Sequence, residues 1–271
     1  ETSDRPGRPY GGADEAYAAM YSKKPDFMLW GGDNFYYREP DYTRTGMIYR
    51  NDHARGVKSI QPLLANVHHY AIWDDHDYGP NNAGAEFFNK ETARLVFKEM
   101  WTNQLQANDS EGIYFSFKHK EAEFFMLDVR YFKIADSQLL GDKQMKWLLE
   151  GLKKSDAKFK FIVSGVQVLC DGGYENFRKY PVEFSQLMNF ISENKIEGNI
   201  GNIGVYQYLN YNFGIFSIGN KVCIKQILKE TDMNECPTNN ILYCKEKWWK
   251  ILNKNPIQNE NMCNVGEDNL I

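Results

Sequence analysis

The sequence predicts an α/β fold. Continuous apolar runs that stop abruptly at Gly, Asp or Ser read as strands buried on both faces, and stretches of helical periodicity separate them. A further pair of apolar runs, joined by the polar turn His119-Lys120-Glu121, adds a hairpin and with it some antiparallel pairing.

In chain order, residues 13–22 read as a short helix rich in Ala. PDFMLWGGD (25–33) is then a buried strand, with Phe27, Met28, Leu29 and Trp30 in succession and a stop at Gly31-Gly32-Asp33. A polar stretch follows, with a helical segment from Val57 to Ala65, and HYAIW (69–73) is the second buried strand, ending at a run of aspartates. Residues 86–102 form a helix striped by Phe87, Phe88, Ala93, Val96, Phe97 and Met100. GIYFSFK (112–118) and EFFMLDV (123–129) make the hairpin. LLGDKQMKWLLEGLKKS is a helix with Asp142 as its expected N-cap and Met145, Leu148, Leu149 and Leu152 on one face. FKFIVSGVQVL (159–169) is a further buried strand, and VEFSQLMNFISENK (182–195) an amphipathic helix through Phe184, Leu187, Met188 and Ile191. GNIGNIG (198–204) has phosphate-loop-like glycine spacing without the Lys-Ser/Thr that should follow, so it reads as a plain loop. Residues 205–228 read as a late hairpin, and the Asn-rich segment 229–271 as a poorly ordered tail.

Composition narrows the function. Thirty-two basic and 36 acidic residues give a net charge of −4, without the basic excess of a nucleic-acid-binding face. No apolar run reaches the roughly 18–20 residues of a membrane span. Five cysteines, an odd number with no CxxC pair, argue against a zinc knuckle or a full disulfide framework. The opening ETSDRPGRPYGG has neither a basic n-region nor an apolar h-region, so no signal peptide is read there, and the chain is expected to start downstream of a missing N-terminus.

The chemistry gathers at two strand exits. Asp33 directly follows the first strand, with Tyr36 three residues on, and Asp74, Asp75, His76 and Asp77 follow the second. Ligands of α/β sheets bind beyond the carboxyl ends of strands, where loops converge. Carboxylates delivered there from neighbouring strands suit a hard cation, which needs several anionic oxygens to replace its water and relieves their mutual repulsion. An imidazole beside such a cation suits the attack of activated water on a phosphate ester, because it can hydrogen-bond or protonate the leaving oxygen. Plainer roles compete: Asp33 as a turn or cap residue, Tyr36 as a packed aromatic, His68 and His69 as structural, and His119 as a solvated turn residue. Asp128 and Arg130, at the end of EFFMLDVR, read as a structural pair.

DRPGRPYGG, KPDFMLWGGDNFYYREPD, QPLLANVHHYAIWDDHDYGPN, GIYFSFKHKEAEFFMLDVRYF, LLGDKQMKWL and FKFIVSGVQVL, in this order over about residues 4–197, resemble the PhoD-like alkaline phosphatase family of metallophosphoesterases; NYNFGIFSI resembles its late strand. The resemblance implies a four-layer α/β/β/α sandwich spanning residues 1–228, hydrolysis of phosphate mono- or diesters, and iron with calcium as the metals. It implies Asp33 as a bridging metal ligand, Tyr36 as a phenolate ligand of ferric iron, Asp75 as a further ligand, and His76 as the contact to the phosphate or leaving group.

It also implies departures. The family's upstream Gly-Ser-Cys type ligand segment would precede residue 1. Its Gly-Asp-x-His-His type segment, with a core strand, is expected after ENKIEG, yet no histidine follows His119. The sandwich is therefore expected to be incomplete, with a deletion near 197–205 and weak or no hydrolysis. Two alternatives stand beside the hydrolase: a catalytically dead relative serving as a binding or scaffold module, and a non-catalytic calcium-binding protein.

Overall fold

The computed structural model describes residues 14–103, 111–168, 175–194 and 196, together with the strands at 199–204, 211–218 and 222–228. The segment 229–271 lies outside the described residues. Helix α1 (Asp14–Ser22) leads into β1 (Phe27–Gly31); α2 (Arg44–Arg55) and α3 (Gln61–Asn66) then lead to β2 (His68–Ile72) and the single-turn α4 (Asp75–Tyr78). Helix α5 (Lys90–Met100) precedes the hairpin β3 (Phe115–His119) and β4 (Ala122–Met126). Then come α6 (Gly141–Lys154), β5 (Phe159–Ser164), α7 (Pro181–Glu193), β6 (Asn199–Gly204), β7 (Tyr211–Ile218) and β8 (Val222–Leu228).

Strands β1 and β2 pair in parallel, Phe27 opposite His68 and Gly31 opposite Ile72. A second sheet runs β3-β4-β5-β6, antiparallel at the hairpin and parallel from β4 onward. Strands β7 and β8 pair with each other as the expected late hairpin. The β1-β2 sheet and the four-stranded sheet meet through aromatic rings. Tyr70 of β2 stacks on Phe117 of β3 at 3.5 Å between centroids, and Phe27 meets Phe117 and Phe124 edge-on at 5.6 and 5.5 Å. Alternation along β4 sends Phe124 to this side, while Phe125 packs with Leu148, Leu149 and Leu152 of α6. On β1, Trp30 turns away from the second sheet to meet Tyr17 of α1 and Trp101 at the end of α5.

Several expectations are corrected. Residues 44–55, read only as part of a polar stretch, form α2. Its buried side is partly polar: Arg50 bonds Asp41 at 2.9 Å and Asn51 donates to the Tyr37 hydroxyl at 2.9 Å, so no apolar stripe announces it. GNIGNIG is not a plain loop, because residues 199–204 pair with β5 over its full length. Asp142 is not the cap of α6. Glu183 on α7 accepts from the backbone N–H groups of Leu139, Leu140 and Gly141 at 2.7, 3.0 and 2.8 Å, closing the helix start from a distant element. His119 ends β3, half-buried, 3.4 Å from Asp26 and edge-on to Phe27 at 5.0 Å, so it is not simply solvated.

Candidate metal centre

The parallel register of β1 and β2 decides the site. Gly31 lies opposite Ile72 at the end of the ladder, so the acidic segments that begin at Asp33 and Asp74 leave at one sheet end. The segments approach closely. A Cβ on Gly32 would stand 2.7 Å from the Asp74 Cβ and 2.8 Å from its backbone nitrogen. Gly32 also has φ +107, so glycine is required there twice over. Asp33 follows in the left-handed region at φ 51, a conformation Asp tolerates better than most residues.

Hydrogen bonds zip the two exits together. Asp77 Oδ1 accepts from the backbone of Asp74 at 2.5 Å and Asp33 at 3.3 Å; its Oδ2 accepts from the backbone and side-chain amides of Asn34 at 3.2 and 2.6 Å. The Tyr37 N–H donates to the His76 carbonyl at 2.9 Å. Burial pushes the Asp77 carboxyl well above the usual range, joined by the charge of Asp33, while these donors favour its anion.

So held, Asp33, Asp75 and His76 bring one ligand atom each to within 4.8 Å of one another. Tyr36 closes over them, its ring stacked on His76 at 4.0 Å and its hydroxyl donating to Asp33 Oδ2 at 3.1 Å. All four residues expected at the site are thus together. Asp75 is itself fixed: Oδ1 accepts from the His76 N–H at 3.0 Å and Oδ2 from the Asn82 N–H at 2.6 Å. Burial first, and then the charge of Asp75, pushes the Asp33 carboxyl up to about 6. Burial pushes Asp74 up to about 7 against the pull of Arg130.

The neighbouring aspartates have separate tasks. Asp74 takes a hydrogen bond from Arg130 Nε at 2.5 Å, and Arg130 grips Glu175 with both terminal nitrogens, at 3.1 and 2.5 Å. Lys133 bonds Glu175 and also the Asn82 carbonyl, the latter at 2.7 Å. Asp128 and Arg130 are structural, as expected, but not as an ion pair. Asp128 Oδ1 takes the Trp73 indole N–H at 2.7 Å and the backbone N–H groups of Arg130 and Tyr131, each at 3.0 Å. Sequence reasoning did not find Glu175, Lys133, Asn34 or the separate part of Asp77. Arg130, which lies past the end of β4, reads from the sequence only as half of a structural pair with Asp128, and its partners are not legible there at all. His69 is structural, as expected: its Nδ1 accepts from the Trp30 indole at 2.8 Å.

The donors fit a hard cation. Two carboxylates and an imidazole, with a phenol beside them, are an oxygen-rich set. The side chains assembled here also include more carboxylates (Asp33, Asp74, Asp75, Asp77 and Glu175) than cations (Arg130 and Lys133), a balance a bound metal would redress.

The profile of the PhoD-like phosphatase family matches residues 7–179. The chain belongs to that family. Among solved structures it is similar to one described as the structure of PhoD, at TM-score 0.62 and 17% identity, over 73% of this chain and 48% of that one. It is also similar to the purple acid phosphatase PPD1 from yellow lupin (Lupinus luteus) seeds, at TM-score 0.51 and 12% identity, over 78% of this chain and 36% of that one. At these identities the likeness is one of fold, and the chain spans about half of PhoD or less of its neighbour. No match was found among curated proteins. No helix among the described residues is long and apolar enough to cross a membrane.

Proposed function

We propose that this PhoD-like chain is a phosphoric ester hydrolase that attacks phosphate mono- or diesters with a metal-activated water. The observation that carries it is the convergence of Asp33, Asp75 and His76, ligand atoms within 4.8 Å, at the shared carboxyl end of β1 and β2. Iron and calcium, the metals the family resemblance suggests, suit such oxygen donors and when bound would lower the pKa of water and offset charge on the phosphate. Asp33 and Asp75 hold the cation. Tyr36, bonded to Asp33, offers a phenolate to a ferric ion. His76, kept in place by the Tyr36 ring, hydrogen-bonds the phosphate or protonates the leaving oxygen.

We read residues 1–228 as one incomplete four-layer domain and 229–271 as an appended tail. The aromatic packing of the β1-β2 sheet against the four-stranded sheet favours this, as do helices packed with Trp30 on one side and Phe125 on the other. A second reading, a metal-binding relative without turnover, is favoured by the lack of any histidine after His119. Release of nitrophenol from mono- and bis-(p-nitrophenyl) phosphate, with iron and calcium supplied, separates the two. The hydrolase reading expects weak, metal-dependent turnover that His76→Ala lowers about 100-fold or more. Metal binding with no turnover above background would hand the case to the second reading.

A further inference from the structure

Arg130 is the nearest fixed cation to the site, and its geometry is selective. Its side chain is fully buried; Nε bonds Asp74 at 2.5 Å and Nη2 also touches Asp74, while both terminal nitrogens bond Glu175. Its Nη2 lies 4.0 Å from Asp75 Oδ1, beyond a hydrogen bond. Asp74 has little room to drift: a Cβ on Gly32 would stand 2.7 Å from its Cβ, and one on Gly165 3.0 Å from its Cγ. Glu175 is held in turn by Lys133, which also takes the Asn82 carbonyl at 2.7 Å, and the Asn82 N–H donates to Asp75 Oδ2 at 2.6 Å. A ring of contacts thus runs Asp75, Asn82, Lys133, Glu175, Arg130 and back to Asp74, the residue before Asp75. Asp74 and Glu175 take the hydrogen bonds of the guanidinium between them, so that Arg130 braces Asp74 directly and reaches Asp75 only through charge, at 4.0 Å.

We propose that Arg130 and Glu175 are a positioning pair that fixes the Asp75 carboxylate relative to Asp33 and so sets how tightly the site holds a divalent cation. The proposal rests on the metal-site reading above, but not on turnover. Charge alone makes a different forecast: Arg130→Lys and Glu175→Asp preserve every charge and should leave affinity unchanged. Positioning forecasts a loss, because a lysine lacks the two-pronged grip and an aspartate falls one methylene short.

The test is calorimetric titration of the full chain with Mn²⁺, as wild type, Arg130→Lys and Glu175→Asp, well below each melting temperature. Both variants are expected to bind Mn²⁺ about 10–100-fold more weakly, as when the groups that orient metal ligands are removed. A folded variant that binds within about twofold of wild type overturns the pair, and if one variant does not fold the other decides. A wild type that binds no Mn²⁺ overturns the metal reading and this pair with it. Mn²⁺ binding without ester hydrolysis overturns only the hydrolase reading.

Discussion

The Tyr36 ring lies stacked on the His76 imidazole, centroids 4.0 Å and planes 24° apart, while its hydroxyl donates to Asp33 at 3.1 Å. One side chain therefore touches both Asp33, proposed to hold metal, and His76, proposed to meet the substrate. Tyr36→Phe keeps the stack and removes the oxygen; Tyr36→Leu removes both. We expect Tyr36→Phe to abolish the visible phenolate-to-iron absorption on Fe³⁺ addition and to weaken Fe³⁺ binding. Tyr36→Leu should in addition broaden the His76 ring signals in NMR spectra. An iron absorption band unchanged in Tyr36→Phe would exclude the phenol as a ligand.

Metal should act on stability through the same carboxylates. A ligand that binds only the folded state adds about 2.7 kcal/mol at 100 times its Kd. Mn²⁺ should raise the melting temperature of wild type, EDTA should reverse the rise, and the Asp33→Asn, Asp75→Asn double variant should respond to neither. Without metal, Asp33→Asn should melt above wild type, since burial and the neighbouring Asp75 both disfavour the Asp33 charge. An apo Asp33→Asn protein less stable than wild type would mean that the carboxylate is already compensated.

Gly32→Ala tests the approach of the two strand exits. The residue must adopt φ +107 and place a methyl 2.7 Å from the Asp74 side chain. Backbone strain and overpacking together predict a loss on the order of 2–4 kcal/mol in urea unfolding, with metal affinity falling too. A loss below about 0.5 kcal/mol would show that the segments can part without consequence.

His69 should leave a mark on the pH dependence of stability. Burial lowers its pKa below the ordinary 6.5, and its Nδ1 must be unprotonated to accept from Trp30 at 2.8 Å. The unfolded chain therefore takes up this proton at higher pH than the folded one, so the contribution is favourable above the unfolded value and is lost as pH falls below about 6.5. Between pH 7.5 and 5.5, wild type should lose more stability from this source than His69→Gln, which does not titrate. Equal pH dependence in chemical denaturation of the two proteins would refute it.

The strand exits were legible because strands with apolar neighbours read as unbroken apolar runs, even though β1 and β2 prove only partly buried, and the first polar residue after such a run marks where backbone meets solvent or ligand. PDFMLWGGD and HYAIWDD carry that transition plainly and point to Asp33 and to the run from Asp74 to Asp77, while the choice of Tyr36, Asp75 and His76 comes from the family resemblance. Helix α2 was not legible, since its buried side mixes Met47 and Ala54 with Arg50 and Asn51, which pair with Asp41 and Tyr37. Nor was β6, where glycines dilute the pattern and pairing with β5 supplies the order.

By itself, the sequence determined that the chain is an α/β protein, that acidic residues end two of its strands, and which side chains stand there. These follow from local periodicity, which records burial one element at a time. Only the tertiary structure decided how three nearly adjacent aspartates divide their work: Asp74 bonds Arg130, Asp75 comes together with Asp33 and His76 in the candidate metal centre, and Asp77 binds the opposite exit through Asp33 and Asn34. Their partners lie 56 residues away at Arg130 and 44 at Asp33, and a side chain's charge partner is set by where the folded chain brings distant segments together, which no local pattern encodes.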